Sequence, residues 1–443
     1  MDFMNAPIIH ETNHRATVRL KNIEVSASRN RAIDAYRALA MFAVAFGHWL
    51  AADVRLTDGT LAGGNALDQL RSLHILTWVF QVMPIFFCIG GYSNAASLDA
   101  HRRNGGSNSV WVRARLRRLT TPSAWLAGTW LVIVGAAHFV GFGRLATVAA
   151  GVAAIPLWFL GNYVADTALA PITLNLYRNR RHHFLTGLAV VFLIGEALRF
   201  PGVHYLPQIN IVVGWLIFQV LGFAWKDGHL PGSRCIGKLG IGSFGVAAAL
   251  VAFGPWPLAM VSVPGSRFAN TWPPSLALIF YGFGMCSLAI AAAPRINTFL
   301  GRSENAWTAV AGANTITMTS YLWHFTALSI AAVVLAPLHL LPTAAIGSGA
   351  WWWQKLVVIA TAFVVLVGLV TVFAKKERAG LLGADKSGSV AVSGSPWFTG
   401  PLALTLAASF ECWTAATGNR FLLVSGMAGV VSVHRVLGGK SGR

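Results

Sequence analysis

The stretch RAIDAYRALAMFAVAFGHWL, residues 31–50, decides the fold class of this chain. It opens with charged side chains, continues as an apolar run and carries one histidine, His48, near its far end. Arg37 and His48 are 11 positions apart. In an α-helix that is about 20° beyond three full turns, so both side chains share one face about 16 Å apart along the axis. Such a face suits the two ends of one long ligand.

A structural interpretation explains the same spacing. An arginine can extend to the membrane edge, and a histidine can simply bond a neighbouring helix. Ionisable groups inside a membrane are nevertheless costly, which makes a functional role the first hypothesis for His48.

The composition indicates a membrane protein. Hydrophobic residues make up 55% of the 443 positions and charged residues only 11%, whereas a soluble domain is about a quarter charged. Apolar runs of about twenty residues recur along the chain, and each is long enough to span a bilayer. An open sheet cannot span lipid and these runs are too long for barrel strands. The predicted fold is therefore an all-α, polytopic transmembrane helical bundle.

The charge distribution predicts an orientation for about ten spans. The net charge is +19, and the basic residues lie in short segments between apolar runs, which argues against a nucleic-acid partner. With the N-terminus inside, inner segments hold 24 Lys or Arg and outer segments six, which predicts a multi-pass protein of the cell inner membrane with a cytoplasmic N-terminus. The predicted spans are 33–53, 74–98, 121–143, 155–176, 183–200, 208–225, 238–258, 275–293, 308–336 and 351–374.

The ends of the chain differ from the spans. Residues 1–30 are polar without an apolar signal-peptide region, and we expect a basic cytoplasmic arm. The membrane domain is expected over 31–378, and the Gly/Ser-rich stretch 379–396 resembles a linker. The last segment, 397–443, holds two short apolar runs, 397–413 and 421–436. They fit either an additional helical hairpin in the membrane or packing on its surface. Four cysteines lie scattered without metal-ligand spacing, so no metal site is expected.

Two further segments could carry chemistry. In span 2, Gly90-Gly91 weakens the helix and lets a ligand approach the backbone, although close helix packing through small residues explains it as well. Ser93 and Asn94 add hydrogen-bonding capacity. In the basic loop predicted at 99–120, Arg115 and Arg118 would share a helix face and suit phosphate, while membrane topology alone also explains the loop. His324, in SYLWH, is another intramembrane polar group that either touches substrate or bonds another helix.

Four places together resemble the integral-membrane acyltransferases of acyltransferase family 3. RAIDAYRALAMFAVAFGH is similar to the family's first-helix signature, an Arg and a His separated by ten residues. MPIFFCIGGY is similar to its second-helix run, where many members have Ser-Gly in place of Gly90-Gly91. RARLRR followed by Pro122 resembles its basic Arg-x-x-Arg loop, and PLWFL and SYLWH resemble later signatures. The resemblance covers about residues 30–375 and excludes the tail.

The resemblance implies a ten-helix bundle that moves an acyl group, often acetyl, from acyl-coenzyme A to a hydroxyl of a carbohydrate or glycolipid. Carried over by position, Arg37 and the basic loop lie near the coenzyme, and His48 is the catalytic base. Gly90-Gly91 would let the acyl arm pass, and Asp34 would orient Arg31 or Arg37 by ion pairing.

The leading hypothesis is a membrane O-acyltransferase that uses acyl-CoA, with acetyl-CoA as the expected donor, a cell-envelope acceptor, membrane lipids around it and no metal. A multi-pass transporter or lipid flippase also fits, although no two-fold internal repeat is evident. An inactive scaffold is the third alternative, and the intact Arg37–His48 pair argues against it.

Overall fold

The computed structural model describes residues 30–57, 59–200, 206–266, 268–385 and 420–438. These ranges are almost entirely helical. The helices are α1 Arg31–Ala51, α2 Ala66–Gln69, α3 Thr77–Phe80, α4 Met83–Arg103, α5 Asn108–Phe139, α6 Gly143–Ala154, α7 Leu157–Asn179, α8 Arg181–Arg199, α9 Asn210–Lys226, α10 Ser233–Phe253, α11 Leu276–Arg302, α12 Glu304–Asn314, α13 Thr317–Leu335, α14 Gly349–Asp385 and α15 Arg420–Gly438. Two 3₁₀ turns, Arg71–Leu76 and Leu206–Ile209, and an antiparallel hairpin, β1 Ala52–Thr57 with β2 Thr60–Asn65, complete the regular structure.

The all-α polytopic bundle is confirmed. Within the described ranges, 8 helical segments are long and apolar enough to cross a membrane. They are Arg71–Arg103, Asn108–Phe139, Gly143–Asn179, Leu206–Lys226, Ser233–Phe253, Leu276–Arg302, Thr317–Leu335 and Gly349–Glu377. The other two predicted spans correspond to α1 and α8, which are 21 and 19 residues long. Their terminal charged residues lower their hydropathy.

Several predicted boundaries were wrong for local reasons. The predicted basic loop 99–120 is mostly helix, because α4 runs on to Arg103 and the Ser107 side chain caps α5 by accepting from the Val110 N–H. Predicted span 2 is interrupted before α4, where Pro84 lies in the first turn and needs no N–H partner. Predicted span 9 divides into α12 and α13.

Close helix contacts through glycine join α4 to α9. A Cβ built on Gly91 would lie 2.0 Å from the Gln219 carbonyl oxygen, and one built on Gly222 would lie 2.0 Å from the Cys88 carbonyl oxygen. Only glycine permits this backbone-to-backbone contact. Around it the core is rich in fully buried aromatic side chains, which include Trp215, Trp323, Tyr281, Tyr321, Phe87 and Phe159.

The C-terminal region is helical where it is described. The predicted linker begins too early, since α14 continues to Asp385. The second apolar run forms α15, which packs along α5, with His434 Nδ1 3.3 Å from Thr120 Oγ1. The basic arm to residue 29, residues 386–396 of the linker and the first apolar run lie outside the described residues, so the choice between a hairpin and surface packing stays open.

Candidate active site

The first half of α1 brings an arginine to a serine of α4. Arg37 donates from Nη1 to Asp34 Oδ1 at 3.2 Å and from Nη2 to Ser93 Oγ at 3.1 Å. Its side chain is 30% exposed, whereas that of Asp34 is nearly buried at 7%. Asp34 therefore orients the Arg37 guanidinium and leaves part of it open to a ligand.

A second arginine bonds a serine on the next turn of α4. Arg115 of α5 donates from Nη2 to Ser97 Oγ, and Trp111 Nε1 donates to the same oxygen at 3.2 Å. The Arg115 guanidinium also lies over the Trp111 ring, 5.6 Å from its centroid. Ser93 and Ser97 are one helical turn apart, so α4 holds two guanidinium groups side by side. The sequence analysis missed Ser97, and its i, i+4 spacing from Ser93 was the available signal.

A third arginine joins this group from the exposed face of α5. Arg115 lies within electrostatic range of the charges of Arg37 and Arg118 and of the Tyr163 hydroxyl. Arg118 is exposed. Arg37, Arg115 and Arg118 form what we call the arginine cluster. Three guanidinium groups in one place provide the bidentate donors that phosphate groups favour.

Two of the predicted supporting residues lie outside the arginine cluster. The Arg31 side chain donates from Nη1 to the Leu300 carbonyl at 2.7 Å and lies over the Trp307 ring. The Asn94 side chain is buried and donates to Thr167 Oγ1 at 3.4 Å. Both side chains fasten helices to one another.

The predicted glycine pair has two different environments. Gly91 packs against the backbone of α9, so close helix packing accounts for it and no ligand passes on that side. A Cβ on Gly90 would meet the ring of Tyr163 at 2.7 Å. Gly90 therefore makes room for the aromatic side chain that borders the arginine cluster.

Near the other end of α1, His48 pairs with His324 of α13. His48 Nδ1 lies 2.9 Å from His324 Nε2, and the two ring planes are nearly parallel, with an interplanar angle of 9°. His324 is fully buried, and its Nδ1 bonds the Tyr321 carbonyl. The Trp49 indole in turn donates to the His324 carbonyl at 3.0 Å. The histidine pair thus joins α1 to α13.

The hydrogen-bond partners assign the tautomers of both rings. A carbonyl oxygen only accepts, so His324 Nδ1 carries the proton that is donated to Tyr321. In the neutral ring His324 Nε2 must then accept, which requires His48 Nδ1 to donate. His48 Nε2 is left with a free lone pair. The pair therefore holds His48 in the tautomer in which Nε2 is a proton acceptor.

His48 lines a cavity of about 460 Å³ that lies at the end of the bundle opposite the arginine cluster. Its walls come from α1, the 3₁₀ turn Arg71–Leu76, α3, the segment 254–275 and the starts of α4, α7 and α14. Phe325 of α13 also lines it. Trp158, Trp272 and Trp352 are among the lining residues. The cavity therefore reaches His48, whereas His324 lies behind it and does not line the cavity.

The arginine cluster and the cavity are separated by packed side chains. Met41 and Val44 lie between Arg37 and His48 on the same face of α1, and each is 4% exposed. Val44 forms part of the cavity wall, whereas Met41 lies below it. The level of Met41 is therefore filled by packed side chains.

Three other polar side chains in the predicted spans are buried outside these sites. Glu196 and Arg199 form a buried ion pair at 2.9 Å, and Arg199 also donates to the carbonyls of Pro273 and Pro274. Asp166 is buried, and neither of its carboxylate oxygens has a hydrogen-bond partner within the described ranges. The same ranges contain no group of three potential metal ligands.

The chain matches the acyltransferase domain of acyltransferase family 3 over residues 30–374, which is most of its length. It belongs to this family and is a multi-pass membrane acyltransferase. The match confirms the family that the sequence motifs indicated. No curated protein and no solved structure matches the chain.

Proposed function

We propose that this protein transfers an acyl group, acetyl in the first instance, from acyl-CoA to a hydroxyl of a cell-envelope carbohydrate or glycolipid, with His48 as general base. The observation that carries the proposal is the histidine pair. It leaves His48 Nε2 unprotonated, and His48 is one of the residues that line the cavity. A histidine in that tautomer can take a proton from a neighbouring hydroxyl and act as a general base.

The arginine cluster supports acyl-CoA as the donor. Coenzyme A carries phosphates at one end and a thioester at the end of a long thin arm. Arg37 and Arg115 would hold the phosphates, with Arg118 at the exposed edge. The spacing of about 16 Å between Arg37 and His48 along α1 suits the length of the arm, and the packed side chains at Met41 would have to move for it to pass.

The reaction follows from these positions. His48 Nε2 takes the proton of the acceptor hydroxyl as its oxygen attacks the thioester carbonyl carbon. The new C–O bond forms, the C–S bond breaks, and the coenzyme leaves as a thiolate that recovers the proton from the imidazolium. His324 would be a positioning residue, because it accepts the Nδ1–H of His48 and does not line the cavity.

The donor and the acceptor would enter from opposite ends of the bundle. The arginine cluster lies where the positive charge distribution predicts the cytoplasm, and the cavity lies at the other end. Single cysteines at Gly63 and Ser266 should react with impermeant reagents from outside in intact cells, and one at Gly228 should not. A cytoplasmic Gly63 or Ser266 would reverse the orientation.

The test of function uses the full-length protein in lipid nanodiscs with labelled acetyl-CoA and an extract of envelope glycolipids and glycans. We expect covalent label on the acceptor fraction, and a loss of about 10²–10⁴-fold in transfer for His48→Ala. His182→Ala removes an exposed histidine at the arginine end and is the matched control. Transport of unmodified lipid without any labelled acceptor would favour a flippase instead.

A further inference from the structure

Few of the side chains that line the cavity at His48 can accept a hydrogen bond. Most of its lining residues are apolar or aromatic. Thr77 Oγ1 already accepts from the Met260 N–H, and Thr271 Oγ1 accepts from Gln81 Nε2. The side-chain oxygens of two further lining residues are also used: Asn65 Oδ1 accepts from the Leu67 N–H and Gln81 Oε1 accepts from the Met83 N–H.

Two acceptor atoms of the lining side chains make no hydrogen bond within the described ranges. They are the Nε2 of His48 and the hydroxyl oxygen of Ser262, which is exposed. The indole N–H groups of the cavity tryptophans can donate but cannot accept. Every hydroxyl of a bound molecule has a proton to donate, and a buried donor without an acceptor is strongly unfavourable.

The outer surface of the protein next to the cavity is also apolar. Leu76 lines the cavity and is 44% exposed, and its neighbours Ile75 and Val79 are 54% and 65% exposed. Exposed apolar side chains on a membrane protein mark a surface that faces lipid. The cavity wall formed by the 3₁₀ turn and α3 therefore borders the hydrocarbon, and an amphipathic molecule can approach His48 from the membrane.

We propose that the acyl acceptor is an amphipathic alcohol: it buries a largely apolar body in this cavity, gives one hydroxyl to His48 and keeps its other polar groups near the exposed Ser262. A glycolipid or another hydroxylated lipid has this chemistry. A hydrophilic polysaccharide chain does not, because its surface is polar on all sides whereas most of the cavity wall is apolar or aromatic. This inference rests on the proposed function and narrows the acceptor class.

The experiment measures ligand binding without acyl transfer. Ser262→Cys and, as matched control, Ser266→Cys are made in a full-length chain whose native cysteines are replaced by serine. Both residues are exposed in one segment, but Ser266 does not line the cavity. The rate of modification by a small charged thiol reagent is measured in nanodiscs with methyl, butyl and hexyl β-glucoside as probes.

We expect the alkyl glucosides to slow modification of Ser262→Cys and not that of Ser266→Cys. Each buried methylene should lower the half-protecting concentration about fourfold, until the chain outgrows the cavity. Equal protection by methyl and hexyl glucoside would overturn the inference. Equal slowing of modification at the two introduced cysteines would overturn it too, because the glucosides would then act only through the bilayer. Graded protection in a protein that fails to transfer acetyl would retain the ligand class and reject the proposed function.

Discussion

The assignment of base and positioning residue within the histidine pair predicts unequal effects of mutation. His48→Ala removes the Nε2 lone pair, so transfer should fall by about 10²–10⁴-fold. His324→Leu removes the acceptor of the His48 Nδ1–H, together with the bond that His324 Nδ1 donates to the Tyr321 carbonyl. One neutral hydrogen bond is worth about 0.5–1.5 kcal/mol, so this variant should lose about 2- to 13-fold.

Two amide substitutions separate geometry from proton transfer. His324→Gln provides a carbonyl oxygen that can accept from His48 Nδ1–H, so it should keep the His48 tautomer and most of the activity. His48→Asn can form hydrogen bonds but is not a useful base, so it should be as inactive as His48→Ala. A histidine with a purely structural role would tolerate Asn and would lose folding together with turnover in the Ala variant.

The assay is single-turnover acyl transfer at matched concentrations of folded protein, with a pH–rate profile for each variant. Acyl-CoA binding should be unchanged in all four variants, because the arginine cluster lies about three helical turns from His48. The reasoning is refuted if His48→Asn transfers at nearly the wild-type rate. If His324→Gln is then inactive, the roles are reversed and His324 is the base.

Three further predictions concern the path of the donor and the frame around it. Arg115→Ala should weaken acyl-CoA binding by about 10- to 150-fold, because a lost charge-assisted hydrogen bond costs about 1.5–3 kcal/mol, and Arg118→Ala should weaken it less. Equal small effects of both substitutions in titration calorimetry would leave both residues with a role in membrane topology alone. Met41→Trp should block transfer while acyl-CoA still binds, and unimpaired single-turnover transfer would place the acyl arm elsewhere. Gly91→Ala should destabilise the fold by about 1–3 kcal/mol because its Cβ has no space, and an unchanged thermal unfolding midpoint would contradict the contact between α4 and α9.

The sequence predicted the features that depend on helix periodicity. Arg37 and His48 lie on one face of α1 because the helix repeat requires it, and apolar runs of spanning length could only form helices. Contacts between distant segments were not visible. His324 lies 276 positions from His48, and a single sequence contains no signal for that pair. Ser97 was overlooked because a serine in an apolar helix has many ordinary uses.

Local capping explains the wrong boundaries. The basic segment after Arg103 has many charges, which resembles a loop in a membrane protein, but the Ser107 cap and the following helix-forming residues extend α5 through it. The Gly90-Gly91 pair was difficult to interpret from the sequence for a different reason. Its two positions are adjacent in sequence and face different partners, Tyr163 and the backbone of α9, so one motif had two separate explanations.

The reciprocal glycine contacts of α4 and α9 determine which parts of the bundle can move. Two backbones in direct contact cannot slide or tilt without a clash, so α4 and α9 should behave as a single rigid body. Ser93 and Ser97 belong to that body, whereas the arginines that they anchor come from α1 and α5. Opening the packed level at Met41 must then displace α1 or α5 against a fixed α4. Binding of the coenzyme phosphates would replace the serine contacts of Arg37 and Arg115 by contacts with the ligand. It would thereby release α1 and α5 from α4 when the acyl arm needs to pass.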